Sequence, residues 1–356
     1  MKYVAAPKTF SIRASVTKFL SILLFFVFIL TSQGNGPVAL AGEIGHFNPG
    51  VANIRDFAMP APGYYGVLYN YWYWTHQYND RNGDKVNSIT VGPGGGTNLN
   101  LNVDVNLYAI APTFIWVSDC TVLGAKYGAY ISPVFANSSV GASLSRITGT
   151  GRSLNSSQFG AGDLFVQPLW LGWSKKHWDL SLGYGFYAPV GRYDIQTVTL
   201  PVVGSFTAEA PDNIGLGFWT HQFQGTALWY PWEHRATAVC AALTYELHGK
   251  KKDFDLTPGQ NLTLNWGVSQ YLPLRKDNKL LLELGLSGYS SWQISDDSGS
   301  DAKNPGVHDS VHAVGGQLGL TYVPWNAAVN LHYLNEISAQ DRFQGDVIGA
   351  SVVVKF

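Results

Sequence analysis

Between Asn98 and Leu107 the chain reads NLNLNVDVNL, with an apolar side chain at every odd position and Asn or Asp at every even one. A two-residue period predicts a β-strand, because successive strand side chains point to opposite faces. The same alternation recurs down the chain. WDLSLGYGF sets Trp178, Leu180, Leu182, Tyr184 and Phe186 against Asp179, Ser181, Gly183 and Gly185, and NLTLNWGVS sets Leu262, Leu264, Trp266 and Val268 against Asn261, Thr263, Asn265 and Ser269. KLLLELGLSG places Leu280, Leu282, Leu284 and Leu286 opposite Leu281, Glu283, Gly285 and Ser287. Further strands are expected at 63–74, 125–133, 139–147, 163–173, 214–230, 237–248, 311–323, 327–335 and 346–356. Several approach the length of about ten residues that a tilted membrane-crossing strand needs. No helical periodicity follows residue 41.

Short charged connections such as PLRKDNK (273–279) and SKK (174–176) alternate with longer loops rich in Gly, Ser, Asp and Asn. Tight periplasmic turns and longer outer loops give a membrane barrel this rhythm. Aromatic residues crowd the strand ends in YNYWYW (69–74), PLWLGW (168–173) and LWYPW (228–232), as expected of interfacial girdles. Charged residues make up 13% of the chain, about half the usual share. That scarcity argues against a soluble sandwich or propeller, which alternation alone would permit. The pattern therefore predicts an all-β fold, a single antiparallel transmembrane barrel of about twelve strands, with fourteen as the alternative. On this reading the odd row Leu99–Leu107 faces lipid, while Asn98, Asn100, Asn102, Asp104 and Asn106 line the lumen.

The ends of the chain fit export to the outer membrane. Lys2, Lys8, Arg13 and Lys18 precede the apolar run FLSILLFFVFIL, and Ala39-Leu40-Ala41 follows, in the order of a signal peptide cleaved near Ala41. Cleavage moves the formal charge from −1 to −5, and no basic patch suggests nucleic acid. At the other end Ile348, Ala350, Val352, Val354 and Phe356 share one face. A terminal amphipathic strand ending in Phe resembles the signal read by the barrel assembly machinery. Residues 42–62 then form an N-terminal segment and 63–356 the barrel. With Pro49, Pro60 and Pro62 the segment is no central strand. Its Phe47, Phe57 and Met59 need cover, either as a plug in the lumen or as a periplasmic tail under the rim.

GHFNPGVANIRDFAMPAPGYYGVLYNYWY, from Gly45 to Tyr73, resembles the start of the mature region in the family of the MetA pathway of phenol degradation. The residues that carry the likeness are His46, Phe47, Pro49, Gly50, Arg55, Asp56 and Phe57, with Pro60-Ala61-Pro62-Gly63 before the first strand. The resemblance implies an outer-membrane barrel similar to uptake channels for hydrophobic compounds. It brings no catalytic residues and no cofactor.

The candidate chemistry is sparse. NDRNGDK (79–85) matches the opening of an EF-hand loop, but Lys85 and Val91 stand where that loop needs Gly and Glu. No metal site is expected. His177, His248, His312 and His332 sit on polar strand faces or at strand ends, and no G-x-S-x-G elbow supports a hydrolase. They are expected to be lumen residues in a hydrogen-bonded interior. Cys120 and Cys240 are read as unpaired, with one disulfide as the alternative.

The expected function is passive uptake of small apolar or aromatic solutes across the outer membrane, with membrane lipid as the surrounding partner and no enzymatic role. Tyr187, Phe218, Trp219, Phe223 and Trp229 are candidates for the substrate path. The alternative is a non-transporting barrel, either lipid-active or structural and adhesive.

Overall fold

The computed structural model describes residues 44–91, 97–145, 151–200, 204–210, 213–302 and 304–356. The expected signal peptide lies outside the described residues. Twelve antiparallel strands form the wall. They are β1 (Gly63–Thr75), β2 (Thr97–Val122), β3 (Ala125–Ser132 continued by Phe135–Ser145) and β4 (Gly151–Ala161 continued by Leu164–Ser174). Then come β5 (Trp178–Ala188), β6 (Thr220–Trp229), β7 (Thr237–His248), β8 (Asn261–Pro273), β9 (Leu280–Gln293), β10 (Ser310–Tyr322), β11 (Ala327–Gln340) and β12 (Asp346–Lys355).

Each strand pairs with its neighbours in sequence, and β1 pairs on one edge with β2 and on the other with β12. Closure follows from the solvent. An open edge in hydrocarbon would leave a row of N–H and C=O groups without partners, so a sheet that spans a bilayer must meet itself. The count is twelve, not fourteen, because the stretches expected at 125–133 and 139–147 are one wall strand. Its two halves pair with β2 in a common register across Pro133, from Phe114↔Ile131 to Ile110↔Phe135.

Along β5 the alternation runs as expected, with Leu180 and Leu182 exposed on the lipid face and Asp179 and Ser181 buried on the lumen face. The same holds on β8 for Asn261, Thr263 and Asn265, which are buried, against Val268, which is exposed. On β11, Asn330 and His332 point inward, and Val329 and Leu331 point out.

The strand with the cleanest alternation is reversed. Leu101, Val103, Val105 and Leu107 are buried, and Asn100, Asn102, Asp104 and Asn106 are exposed. Register identifies the inner side: Leu107 and Val105 lie opposite Tyr73 and Thr75, whose row on β1 continues through Tyr69 to the lumen. The row from Asn100 to Asn106 is therefore on the outside, and the side chain of Asn98 lies outside the described residues. The physical reason is length. At about 3.3 Å per residue, the 26 residues of β2 extend for roughly 85 Å, far more than the hydrocarbon layer requires. Only the later part of the even row, with Phe114 and Trp116 exposed, meets lipid. At Tyr108, which packs on Trp72 with ring centroids 4.7 Å apart, that row changes from apolar to polar. Asn100–Asn106 stand above this boundary in water, and the apolar row lines the inside of a wall that projects outward.

The girdles are only partly those expected. Trp72–Tyr108 and Phe186–Trp219 mark the outer boundary, and Trp178–Trp229 and Trp116–Tyr127 the periplasmic one. Tyr69, Tyr71 and Tyr73, read as girdle residues, are buried inside. Phe356 is exposed at the periplasmic rim, its N–H donating to the Tyr64 carbonyl. Cys120 is exposed and Cys240 buried, and no disulfide joins them.

The lipid-facing and outward-projecting faces predict opposite responses to charge. Leu182→Arg is expected to cost about 2–4 kcal/mol of stability, measured by urea unfolding in lipid vesicles. Asn102→Arg is expected to stay within about 0.5 kcal/mol. A nitroxide at position 182 should be relaxed by oxygen dissolved in the bilayer, and one at 102 by a water-soluble nickel chelate.

Candidate functional site in the barrel lumen

Residues 44–62 run through the lumen from its outer part to the periplasmic mouth and turn there into β1. The segment makes no ladder of its own, so its backbone groups are taken up by side chains of the wall. The Phe47 N–H donates to Glu246 Oε1 (2.7 Å), the Gly50 N–H to Asn265 Oδ1 (3.1 Å) and the Ile54 N–H to Gln317 Oε1 (3.0 Å). The Phe57 carbonyl accepts from Thr226 Oγ1 (3.0 Å). Four wall strands thus supply what a sheet partner would supply. Gly50 has φ +77°, and a Cβ there would meet Leu334 and the Tyr289 ring, so only glycine fits. On the neighbouring strand β12, Gly349 leaves room for the imidazole of His332, which bonds to Asn53 (3.1 Å).

Local sequence shapes the lower part. Asn53 and Asp56 form a capping box around one 3-10 turn, Ile54–Phe57, with the Asn53 N–H donating to Asp56 Oδ2 at 2.9 Å. Tyr69 of β1 donates to the same carboxylate oxygen (3.2 Å). The turn aims Arg55 at the wall. Its Nε lies 3.1 Å from both Ser269 Oγ and Glu283 Oε1. Nη1 and Nη2 donate to the Arg235 and Ala236 carbonyls of the β6–β7 turn, and the guanidinium stacks 4.0 Å from the Tyr271 ring centroid. Arg55 and Glu283 are both buried, so each is the other's charge compensation.

The upper part is seated by a polar chain. His46 Nε2 lies 2.9 Å from Asp163 Oδ2, and its Nδ1 lies 2.7 Å from Thr220 Oγ1. Thr220 Oγ1 is also 2.7 Å from His248 Nδ1, and His248 Nε2 is 2.9 Å from Asn261 Oδ1. Acid, imidazole and hydroxyl in a row could suggest nucleophilic catalysis. Here Thr220 is fully buried and its hydroxyl is bonded on both sides, so no carbonyl carbon can approach it. The chain is a seat for the segment. Asp163, where the two halves of β4 meet, also accepts from the Gly191 N–H (2.8 Å) and the Leu216 N–H (2.7 Å), joining the segment to the loop between β5 and β6.

The expected site residues divide between the two faces. Tyr187 and Phe218 are brought together by His46, which stacks on Tyr187 at 4.8 Å and meets Phe218 edge-on at 4.9 Å. Trp219, Phe223 and Trp229 are exposed on the outer surface of the barrel and line no lumen path, because each sits one register position from the inward row of Thr220, Gln222 and Leu228. All seven residues of the N-terminal motif, His46, Phe47, Pro49, Gly50, Arg55, Asp56 and Phe57, are buried in the lumen segment. His248 and His332 face inward as expected. His312 bonds to Ser290 on the half-buried outer side, and His177 lies in a periplasmic turn beside the Tyr230 carbonyl. Asp163 is a site residue that the strand pattern does not single out; its one signal is a lone carboxylate opening the largely apolar stretch 163–173.

Two cavities flank the segment. Above it, a cavity of about 30 Å³ lies among Ile44, Tyr71, Tyr73, Leu107 and Phe343, with Asn48, Glu336 and Arg342 as its polar lining. Here a short pairing of Tyr78–Asn79 with Arg342–Phe343 covers the mouth, fastened by the buried pair Arg342–Asp309 at 2.7 Å. Below it, at the periplasmic mouth, a cavity of about 240 Å³ opens beside Met59 and Pro60. Among the described residues no group of three or more His, Cys, Asp or Glu is placed to hold a metal ion.

A family model described as the putative MetA-pathway of phenol degradation matches residues 88–352, a span that excludes the N-terminal motif. No curated protein matches the chain. Among solved structures, the COG4313 outer membrane channel from Pseudomonas putida F1 is similar with a TM-score of 0.58 at 14% identity, covering 87% of this chain and 99% of that one. The beta domain of the Bordetella autotransporter BrkA has a TM-score of 0.45 at 9% identity, over 83% of this chain and 100% of that one. A Pseudomonas aeruginosa FadL homologue has a TM-score of 0.39 at 10% identity, over 98% and 100%. At such identities the first likeness speaks for the fold alone, and the other two add no weight.

Breaking the Arg55 pair should destabilise the protein. Arg55→Ala leaves Glu283 buried and unpaired, at an expected cost of about 3–5 kcal/mol in urea unfolding. The double variant Arg55→Ala, Glu283→Ala should cost less than the sum of the singles. The outer cover should respond to pH. Burial pushes the Asp341 carboxyl up from 3.8 to about 6, against a smaller lowering by Arg81. The folded protein thus holds this proton more tightly than the unfolded chain. The stability it contributes is full below about pH 4 and lost as pH rises through about 6. Protection of the Asp341 amide, which donates to the Asp80 carbonyl, should fall from pH 4 to pH 7, and Asp341→Asn should flatten that change.

Proposed function

The chain belongs to the putative MetA-pathway phenol-degradation family, and on that premise we propose that it is an outer-membrane channel for passive uptake of small hydrophobic and aromatic compounds. The observation that carries the reading is the lumen segment, seated by non-covalent bonds above a cavity at the periplasmic mouth. Leu101, Val103, Val105 and Leu107 give the projecting wall an apolar inner side, packed against neighbouring groups that a solute arriving from a polysaccharide-coated exterior has to part. Residues 44–62 act as a plug that has to shift for passage. Its hydrogen bonds to neutral wall groups contribute about 1 kcal/mol each, so the plug can yield locally while the barrel stays intact. Tyr187 and Phe218 flank the way past it. Residues 1–41 direct export, and the strand ending at Phe356 is read by the barrel assembly machinery. The proposed role is transport and not catalysis.

Locking the plug tests this function. Asn53 Nδ2 lies 3.0 Å from Ser351 Oγ, so Asn53→Cys with Ser351→Cys can join plug to wall in a background lacking Cys120 and Cys240. Toluene uptake into vesicles holding the wild-type barrel should exceed that into empty vesicles. Oxidation of the double-cysteine protein should slow it at least about tenfold, and a reductant should restore it. Uptake that ignores both the protein and the lock would remove the channel reading.

A further inference from the structure

The cavity at the periplasmic mouth has a charge balance that a channel for neutral hydrocarbons does not need. Its walls include Met59, Pro60, Trp173, Tyr230 and Tyr271, and its charged groups are Arg55, Lys126, Arg235 and Asp179. Two of the three cations are matched. Arg55 is held by Glu283. Arg235 pairs with Asp179, whose carboxylate also accepts from Tyr230 Oη (2.7 Å) and Ser174 Oγ (2.6 Å). Lys126 has no ion-pair partner among the described residues. It extends from the start of β3, half-buried, into a space otherwise bounded by rings, aliphatic groups, the matched charges and the Thr121 and Ser174 hydroxyls.

We propose that this cavity, with Lys126, is a binding site for a single-ring aromatic carboxylate. The inference rests on the channel reading and names a solute class within it. Size supports one ring. An apolar cavity of about 150 Å³ accepts benzene, so 240 Å³ accommodates a ring with a carboxylate, whereas a long acyl chain does not fit. Charge supports an anion. A neutral ring filling the cavity would strip water from the Lys126 ammonium and return only a cation–π contact, whereas a carboxylate pairs with it through charge-assisted hydrogen bonds. The ring faces are arranged for an aromatic guest. Arg235 lies 3.8 Å over Tyr230 and Arg55 lies 4.0 Å over Tyr271, which fixes both phenol rings as flat walls. Met59 closes one side against Gly172, where a Cβ would collide with the thioether. The site is thus the last stop before the periplasm.

The test is calorimetric titration of benzoate and of benzamide, its neutral counterpart, into the full-length barrel in detergent. Benzoate should bind with saturation and more tightly than benzamide. Lys126→Met should weaken benzoate about tenfold or more while shifting benzamide less than about twofold, and Lys126→Arg should retain benzoate binding. Met59→Trp, which fills the cavity from a residue outside the wall, should abolish binding of both. Wild-type affinity for benzoate in Lys126→Met, or no saturable benzoate binding at all, would overturn the site. Toluene uptake into vesicles is measured in parallel. Failed benzoate binding with toluene uptake intact overturns this site alone, and absent toluene uptake overturns the channel reading and the site with it.

Discussion

A stretch of backbone placed inside a membrane barrel must find hydrogen-bond partners there, and this requirement organises the lumen. Residues 44–62 cannot pair as a strand, since three prolines interrupt their donors. The wall answers with side chains at matching heights: Glu246 for Phe47, Asn265 for Gly50, Gln317 for Ile54 and Thr226 for Phe57. Each of these residues stands on the inward row of a strand whose other row is apolar. The polar interior is therefore complementary to one particular segment, and the two together form the core of a protein whose outside is greasy.

Among the described residues, two buried ion pairs fix the plug and the cover. Arg55 is buried with Glu283, and Arg342 with Asp309. The first pair ties the plug to the periplasmic turn that carries Arg235 and Ala236, while the second closes the cover above Phe343. Buried pairs add little net stability, yet removing one member is costly, so they specify position more than they add strength. Asp163 has the same role at the junction of β4, where one carboxylate holds the plug at His46 and the outer loop at Gly191 and Leu216.

Transport, on this architecture, is a matter of which contacts can be exchanged. The strand ladder cannot open in lipid without leaving backbone groups unpaired. The plug is different, because its bonds are to side chains in a polar lumen where a solute or water can take their place. The cavity of about 240 Å³ below it is large enough for a one-ring solute, on the reading proposed above.

The sequence by itself determined the barrel. Alternation with a period of two, scarce charge, short and long connections and the terminal strand ending at Phe356 all follow from one chain, because a lipid-facing row has to be apolar wherever it meets hydrocarbon. It also marked the N-terminal segment, since buried residues such as Phe47, Arg55 and Phe57 form a distinctive run before the first strand. What alternation cannot carry is the side on which a row lies. Asn100–Asn106 and Leu101–Leu107 read equally well either way, and only the registers of β2 against β1 and β3 raise that stretch above the bilayer and turn the apolar row inward. The same limit separates Tyr187 and Phe218, which meet at His46, from Trp219, Phe223 and Trp229, which do not. Aromatic character is a property of the residue, but facing a lumen or a lipid depends on strand length, tilt and closure, which exist only once the ring of twelve strands is complete.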